Sequence, residues 1–180
     1  MKRFLIADTH FGHANIIKYE SRPFSSVDEM DLTLINYWNT TVNKDDIIYV
    51  LGDFTLSRRM PVISNIVSRL NGRKVLIMGN HDTRKPKDYI ACGFEVVTRK
   101  PIMVKPGIIL MHEPFMDESL IAPNYIYFFG HVHANKTLMD NYPNCMCVSV
   151  ERIGYKPIDL DECIRNIKNK KTERMVITNE

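Results

Sequence analysis

The histidines of this sequence stand where short apolar runs end. There are six of them: His10, His13, His81, His112, His131 and His133. Asp8, Asp53 and Asn80 follow apolar runs in the same way. Imidazole, carboxylate and amide ligands without a thiolate favour manganese, iron or zinc over a structural cysteine–zinc site. Because seven of these nine side chains are candidate ligands and one tetrahedral ion needs about four, the pattern predicts a cluster of two metal ions.

The stretch Gly79-Asn80-His81-Asp82 carries the densest chemistry. It follows the apolar run 74–78, and its glycine lets the backbone turn sharply where a strand ends. Asn80 offers a neutral oxygen, His81 an imidazole that titrates near neutrality, and Asp82 a carboxylate that could orient that imidazole. Alone, these four residues could form an ordinary polar turn.

The elements that must position these groups alternate in the first half of the chain. Buried apolar runs predict strands at 4–7, 47–51 and 74–78. Helical spacing predicts a helix over 30–42, behind a capping box of Ser26 and Glu29. A second helix is predicted to begin at Pro61 and to end at Gly72. The segment 11–23 is expected to be irregular or briefly helical.

The second half of the sequence predicts a more antiparallel arrangement. Short β-type runs lie at 95–98, 102–104 and 108–111, and further strands are predicted at 125–129 and 146–150. A helix over 159–171 is expected to close the chain. Strand–helix alternation followed by a β-rich half predicts an α/β layered sandwich. Parallel strands of such a fold gather functional groups at their carboxyl ends.

Length and composition restrict the class of protein. The 180 residues predict a single domain, 1–180, and the net charge of +3 with scattered signs gives no evidence of a dedicated nucleic-acid-binding surface. The amino-terminal apolar run stops at Asp8, which is too short for a signal peptide or a membrane span. The four cysteines show no disulfide or zinc spacing, so we expect Cys145 and Cys147 to be buried in a strand. These features predict a cytoplasmic protein with reduced thiols.

Five motifs together resemble those of the calcineurin-like metallophosphoesterases. They are Asp8-x-His10, Gly52-Asp53, Gly79-Asn80-His81-Asp82, His112 and Gly130-His131-x-His133, in the family's order and spacing. The match runs from residue 5 to about residue 133, and the tail 148–157 is similar to a small bacterial and phage single-domain subgroup. The resemblance implies a four-layer α/β/β/α sandwich with a two-metal site between the sheet edges.

The resemblance also divides the ligands between the two ions. It assigns Asp8, His10 and His133 to the first metal, and Asn80, His112 and His131 to the second, with Asp53 bridging both. Manganese (Mn2+) is the expected ion, with iron, zinc or nickel as alternatives. Two cations about 3.5–4 Å apart can share a hydroxide, lower its pKa and clamp phosphate oxygens during in-line attack.

His81 would then have no metal to bind and is predicted to protonate the leaving alcohol, or to stabilise the charge that grows on it. Asp82 is expected either to hold the tautomer of His81 or to be a solvated turn carboxylate. His13 is predicted to contact substrate, the alternative being a histidine that caps the next segment. Arg22 is predicted to hold a phosphate as a bidentate donor, the alternative being a surface arginine in a loop.

Departures from the motifs of larger relatives narrow the expected activity. Asp53 is followed by Phe54-Thr55-Leu56-Ser57, which disfavours the protein serine/threonine phosphatases. No tyrosine takes a ligand position, which disfavours the purple acid phosphatases. The sequence therefore predicts a phosphodiesterase that acts on a small or nucleotide-like phosphoester. A phosphomonoesterase with the same site, or a metal- or nucleotide-binding module without turnover, are the alternatives.

Overall fold

Two β-sheets organise the chain, whose structure is a computed structural model that describes residues 1–177 and the side chains of residues 1–169. In chain order the strands are β1 (Arg3–Ile6), β2 (Ile47–Val50), β3 (Arg73–Ile77), β4 (Val96–Thr98), β5 (Ile102–Lys105), β6 (Ile108–Leu110), β7 (Ile126–Phe129), β8 (Cys145–Cys147) and β9 (Ile158–Asp159). The first sheet has the order β4-β3-β2-β1-β9, and the second has the order β5-β6-β7-β8. The predicted α/β class is confirmed.

The helices of the first half cover one face of the first sheet. These helices are α1 (Ile16–Tyr19), α2 (Val27–Thr41), α3 (Met60–Ser68) and α4 (Pro86–Ala91). A further helix, α5 (Leu160–Ile177), lies at the end of the described chain. Trp38 of α2, Ile63 of α3 and Tyr89 of α4 are buried in one core with Ile48 of β2. Because β1 to β4 pair in parallel, each connection must cross over the sheet, and a helix in that crossover buries its apolar side. No helix in residues 1–177 combines the length and apolar content needed to cross a bilayer.

The second sheet is mainly parallel, so the prediction of a more antiparallel second half is wrong. Only β5 and β6 pair in antiparallel fashion among its described strands, whereas β6 with β7 and β7 with β8 are parallel. The physical reason lies in the connections 111–125 and 130–144, which are long enough to return the chain to the same end of the sheet. As a result, β6 and β7 end on the same side.

The two sheets share a second core. Leu5 and Ile77 of the first sheet are buried with Leu110 and Phe128 of the second, and Leu160 of α5 belongs to the same cluster. The far face of the second sheet is covered by loop residues that include Ile121 and Met139, with 3₁₀ turns at Glu118–Leu120 and Leu138–Asn141. A fourth, helical layer is therefore not confirmed. Cys147 is buried on this far face, as predicted, whereas Cys145 is only half-buried there.

Local signals located the helix starts more closely than the helix ends, since α3 ends at Ser68 instead of the predicted Gly72. The Ser26 side chain accepts a hydrogen bond from the Glu29 amide at 3.2 Å, which confirms the cap. The Glu29 carboxylate, however, accepts from the Ser25 amide at 2.7 Å instead of returning to Ser26. The sequence analysis missed α4 and β9, and β8 is shorter than the run predicted at 146–150. Helix α5 begins at Leu160, one residue after the predicted start, and continues beyond the predicted end.

Candidate metal centre

The predicted ligands converge because the strands that carry them end at one edge. Asp8 and His10 follow β1, Asp53 follows β2, and Asn80 follows β3. His112 follows β6, while His131 and His133 follow β7. Ala7, directly after β1, is hydrogen-bonded to the segment beyond β8, since its amide donates to Val148 O at 3.0 Å. This pairing joins the edge of the first sheet to that of the second, so the two sets of strand ends meet.

The first cluster contains Asp8, His10 and His133. Each offers one ligand atom, and the three atoms lie within 4.8 Å of one another. The Asp8 carboxylate is held from two sides, because it accepts the His131 amide at 3.0 Å and the Ser149 hydroxyl at 2.6 Å. This is the trio that the sequence resemblance assigned to one metal.

The second cluster contains Asp53, His112 and His131, whose ligand atoms also lie within 4.8 Å of one another. Asn80 Oδ1 completes it, at 3.1 Å from His112 Nε2 and 3.0 Å from His131 Nδ1. These two ring nitrogens are themselves 3.2 Å apart. His112 Nδ1 lies 2.7 Å from Leu51 O, so that nitrogen carries the proton and Nε2 presents a lone pair to the cluster.

Asp53 stands between the two clusters. Its Oδ2 lies 3.6 Å from His10 Nε2 in the first cluster and 3.6 Å from His112 Nε2 in the second. The side chain is almost fully buried, and its Oδ1 accepts the backbone amide of His81 at 2.9 Å. One carboxylate therefore faces the imidazoles of both clusters.

His10 shows that this donor set fits a metal ion. Its two ring nitrogens are buried and have no hydrogen-bond partner in the part of the chain that the structure describes. Burial, with smaller effects from His133 and Arg22, lowers the pKa of His10 to about 2, so the ring is neutral. A buried polar atom without a partner is costly in a folded protein, and a cation removes that cost by accepting the lone pair.

Asp8 leads to the same conclusion. Burial raises the pKa of its carboxyl to about 8, although His133 and the Ser149 hydrogen bond act in the opposite direction. A cation held beside the carboxylate would favour its charged form and lower that pKa. The clusters can therefore bind metal ions, and they gain electrostatically from doing so.

Backbone conformation marks the same residues. Five of the non-glycine residues with positive φ in the described chain are predicted ligands: Asp8 (58°), His10 (50°), Asp53 (53°), His131 (74°) and His133 (52°). Such residues are uncommon in the left-handed region, and they persist where the surrounding structure holds them in place. The backbone is therefore bent at each strand end so that the side chain points into the centre.

His81 lies beside the clusters without joining either. Its side chain is 46% exposed, and its Nε2 is 4.0 Å from Asp53 Oδ2. The centres of the His81 and His10 rings are 5.3 Å apart. The predicted proton donor is thus next to the ligands and open to solvent on its other side.

Asp82 differs from both of its predicted roles. It is fully buried, and its carboxylate accepts the amides of Asp53 at 2.8 Å, Gly79 at 2.9 Å and Phe54 at 3.1 Å. These amides lie in the turns after β2 and β3, so Asp82 fixes the two turns to each other. No hydrogen bond to His81 occurs among the described residues, because the Asp82 carboxylate faces the protein interior.

His13 and Arg22 have different outcomes. The His13 ring centre is 5.6 Å from that of His10, and its buried Nδ1 has no partner in the described chain. Arg22 is neither in the cleft nor on the surface. Its buried guanidinium donates to Glu151 Oε1 at 2.7 and 2.9 Å and to the main-chain oxygens of Asp8 and Thr9. The prediction that Arg22 holds a phosphate is corrected, since these donors are engaged within the protein.

Sequence similarity to a known protein extends over nearly the whole chain, although no family model matches it. Uncharacterized protein MJ1445 from Methanocaldococcus jannaschii is 40% identical over 182 residues, which span 97% of this chain and 96% of MJ1445. The chain belongs to the family of MJ1445. That name states no function, so the activity has to be argued from the site.

One solved structure agrees with the fold over most of its length. AQ665, a protein of unknown function from Aquifex aeolicus, superposes with a TM-score of 0.71 at 28% identity, covering 91% of this chain and 98% of that chain. Pseudomonas putida nuclease MPE gives a TM-score of 0.49 at 24% identity, covering 73% of this chain and 61% of that chain. The second likeness is too slight to carry an argument about function.

Glu151 also belongs to the centre, although its role was not predicted from the sequence. Its Oε1 accepts a hydrogen bond from His133 Nδ1 at 3.0 Å and pairs with Arg22 at 2.7 Å. Burial acts to lower the pKa of His133, but the Glu151 hydrogen bond and the Asp8 charge outweigh it and raise that pKa. Ser149, which holds Asp8, was also missed. Both residues lie in the tail 148–157, where only similarity to the subgroup was noted.

Glycines precede three of the predicted ligand positions, because the backbone there passes too close to other predicted ligands to leave room for a Cβ. A Cβ at Gly79 would overlap Asp53 Oδ1, and a Cβ at Gly52 would overlap His112 Nδ1. At Gly130 it would lie 2.7 Å from Asp8 Oδ2. Each contact involves a predicted ligand, so these glycines allow the predicted ligands to come together.

Proposed function

We propose that this chain is a metal-dependent phosphoesterase related to the calcineurin-like metallophosphoesterases, and that it hydrolyses phosphodiesters. The observation that carries the proposal is the pair of His/Asp clusters with Asp53 facing both. Paired cation sites of this kind are used to activate water and to bind phosphate oxygens. The unpartnered ring nitrogens of His10 support occupation of the centre by metal.

The two clusters support a division of the ligands between two ions. Asp8, His10 and His133 would hold one ion, and Asn80, His112 and His131 the other, with Asp53 shared. Manganese suits this mixture of imidazole, carboxylate and amide groups, and iron, zinc and nickel are the alternatives to be tested. Bound ions of this type supply an activated water and neutralise charge on the phosphate.

The remaining polar groups have separate tasks in this proposal. His81 delivers a proton to the leaving oxygen, because its exposed ring lies beside Asp53 without sharing a cluster. Asp82 holds the turns that carry Asp53 and His81 through its backbone hydrogen bonds. His13, whose ring neighbours that of His10, contacts the substrate.

A diester is preferred to a monoester for an electrostatic reason. The guanidinium of Arg22 is neutralised by Glu151, so it gives no extra counter-charge for the additional negative charge of a monoester. Asn80 contributes its oxygen without adding negative charge, so the centre still attracts an anionic ester. A small or nucleotide-like diester monoanion is therefore the substrate that this centre fits best.

Turnover on matched substrates tests the proposal. The full chain is stripped with a chelator, reloaded with manganese, iron, zinc or nickel, and assayed on bis-p-nitrophenyl phosphate, p-nitrophenyl phosphate and cyclic nucleotides. We expect hydrolysis that needs added metal and that is faster on the diester than on the monoester. Metal binding without turnover on any of these esters would support the binding module instead, and faster monoester hydrolysis would overturn the diester preference.

A further inference from the structure

A cavity of about 410 Å³ opens directly beside the second cluster. We call it the side pocket, and its wall includes Met78, Arg99, Met111, Glu113, Pro114 and Phe115. The metal-centre residues Asn80 and His112 line it as well. The side pocket is thus continuous with the second cluster, so a group attached to a phosphate held at the metal centre could enter it without leaving the site.

The charges in the wall of the side pocket disfavour a second phosphate beside the one held at the metal centre. It carries one cation, Arg99, and one anion, Glu113, both on exposed residues. These opposite charges offset each other, and Glu113 would repel a further phosphate. Arg99 donates to Arg84 O at 3.3 Å, which occupies part of its guanidinium and leaves other donors for a ligand. The polar groups therefore suit a neutral ligand that has both donors and acceptors.

The apolar part of the wall suits a flat ring. The Phe115 ring is fixed by an edge contact with Tyr127, with ring centres 5.6 Å apart. Buried Met78, Met111 and Pro114 add further apolar surface. A base stacks on an aromatic face whatever its sequence identity, and a volume of this size is typical of small-ligand pockets.

We propose that the side pocket binds the nucleoside attached to the scissile phosphate. The base packs against Phe115, while Arg99 and Glu113 hydrogen-bond to the polar edges of the base and sugar. This inference rests on the proposed function and specifies its substrate class as a nucleoside phosphodiester. It also makes Phe115, Arg99 and Glu113 residues that determine specificity.

Two substrates with the same leaving group test the proposal kinetically. Metal-loaded protein is assayed on p-nitrophenyl thymidine 5′-phosphate and on methyl p-nitrophenyl phosphate, which differ only in the group that stays on the phosphate. Phe115→Ala and Arg99→Ala should each lower kcat/KM about tenfold on the thymidine ester and leave it unchanged on the methyl ester. Met116→Ala and Lys100→Ala, exposed neighbours outside the wall, are the matched controls. Equal losses on both esters would overturn the proposal.

A binding measurement separates this inference from the proposed function. Equilibrium dialysis of the full chain with labelled thymidine, with and without manganese, requires no turnover and no phosphate. We expect wild type to retain thymidine in both conditions, and Arg99→Ala and Phe115→Ala to retain about tenfold less. Melting curves check that each variant is folded. Absence of thymidine binding by wild type, or equal binding by the folded variants, overturns the proposal that the side pocket binds a nucleoside. Thymidine binding without diester hydrolysis overturns the proposed function alone.

Discussion

Glu151 Oε1 lies 3.0 Å from His133 Nδ1, so a carboxylate orients a predicted metal ligand from behind. This contact leaves Nε2 of His133 to face the first cluster, and Arg22 fixes the carboxylate in turn. Partners of this kind are worth about 10- to 100-fold in metal affinity.

We therefore expect Glu151→Gln to weaken the first site by about 10- to 100-fold and to spare the second, because the charge that orients His133 is removed. Competition with a chromophoric chelator measures both affinities. Glu162→Gln, a change on an exposed glutamate, is the control. Equal weakening of both sites would show that Glu151 acts on the fold as a whole.

Asp53→Asn should weaken both ions together, because this carboxylate faces both clusters at 3.6 Å. His133→Ala should chiefly release the first ion, since His133 belongs to the first cluster and not to the second. Elemental analysis after manganese loading measures the stoichiometry, with Asp45→Asn on an exposed turn as the control. One equivalent or fewer in saturated wild type would contradict the two-ion proposal.

His81→Ala should keep both ions and lose turnover by about 10²- to 10⁴-fold, the usual value of a positioned proton donor. The loss should be smallest for p-nitrophenolate, which leaves without protonation, and largest for an alkoxide or a ribose hydroxyl. Kinetics on such a substrate pair, with metal content measured in parallel, test this expectation. If the variant instead lost a metal and slowed equally on every ester, His81 would be a ligand.

Gly79→Ala should abolish metal binding although Gly79 offers no ligand. The added methyl group would overlap Asp53 Oδ1 and lie 2.7 Å from both the Asp53 amide nitrogen and His112 Cε1. Gly154→Ala is the matched control, because its Cβ meets nothing within 4 Å and its positive φ costs about 1–2 kcal/mol of stability. Calorimetric titration with manganese compares the two; unaltered binding by Gly79→Ala would show that the centre can widen.

Asp31 should make stability depend on pH. Burial raises the pKa of its carboxyl from 3.8 to about 6, against the hydrogen bond from the Gly12 amide. Because the folded state binds this proton more tightly than the unfolded chain, stability falls as the pH rises from about 3.8 to about 6 and stays lower above.

Asp31→Asn keeps an acceptor for Gly12 and removes the charge. Its melting temperature should therefore exceed that of wild type above about pH 6 and match it below about pH 3.8. Melting curves across this range provide the measurement, with Asp45→Asn as the reference. A constant offset at every pH would assign the effect to packing instead of ionisation.

The convergence of the candidate ligands could be predicted from the sequence, because each of them follows the end of a strand. Asp8, Asp53 and Asn80 follow parallel neighbours, so their meeting follows from the topology of the first sheet. The contacts of Arg22 and Asp82 could not be predicted in this way. Arg22 reaches Glu151 across a long stretch of chain, and Asp82 turns inward to backbone amides, which carry no side-chain signal.

The second sheet was misjudged for a similar reason. Short runs such as 108–111 and 125–129 show where a strand lies but not the direction in which its neighbour runs. The direction depends on the path of the connection, and the covering residues Ile121 and Met139 lie in loops and 3₁₀ turns without helical periodicity. Sequence patterns therefore located the strands and left their pairing open.

Each cluster takes its ligands from both sheets. Asp8 and His10 come from the first sheet and His133 from the second, while Asp53 and Asn80 meet His112 and His131 across the same junction. An ion bound there would cross-link two halves of the chain that otherwise adhere through apolar packing. Ion binding would then be thermodynamically coupled to docking of the two sheets, so tighter ion binding would stabilise the interface against opening. Chelation would expose amides along that interface to hydrogen exchange before the helix-covered core around Trp38 loosens.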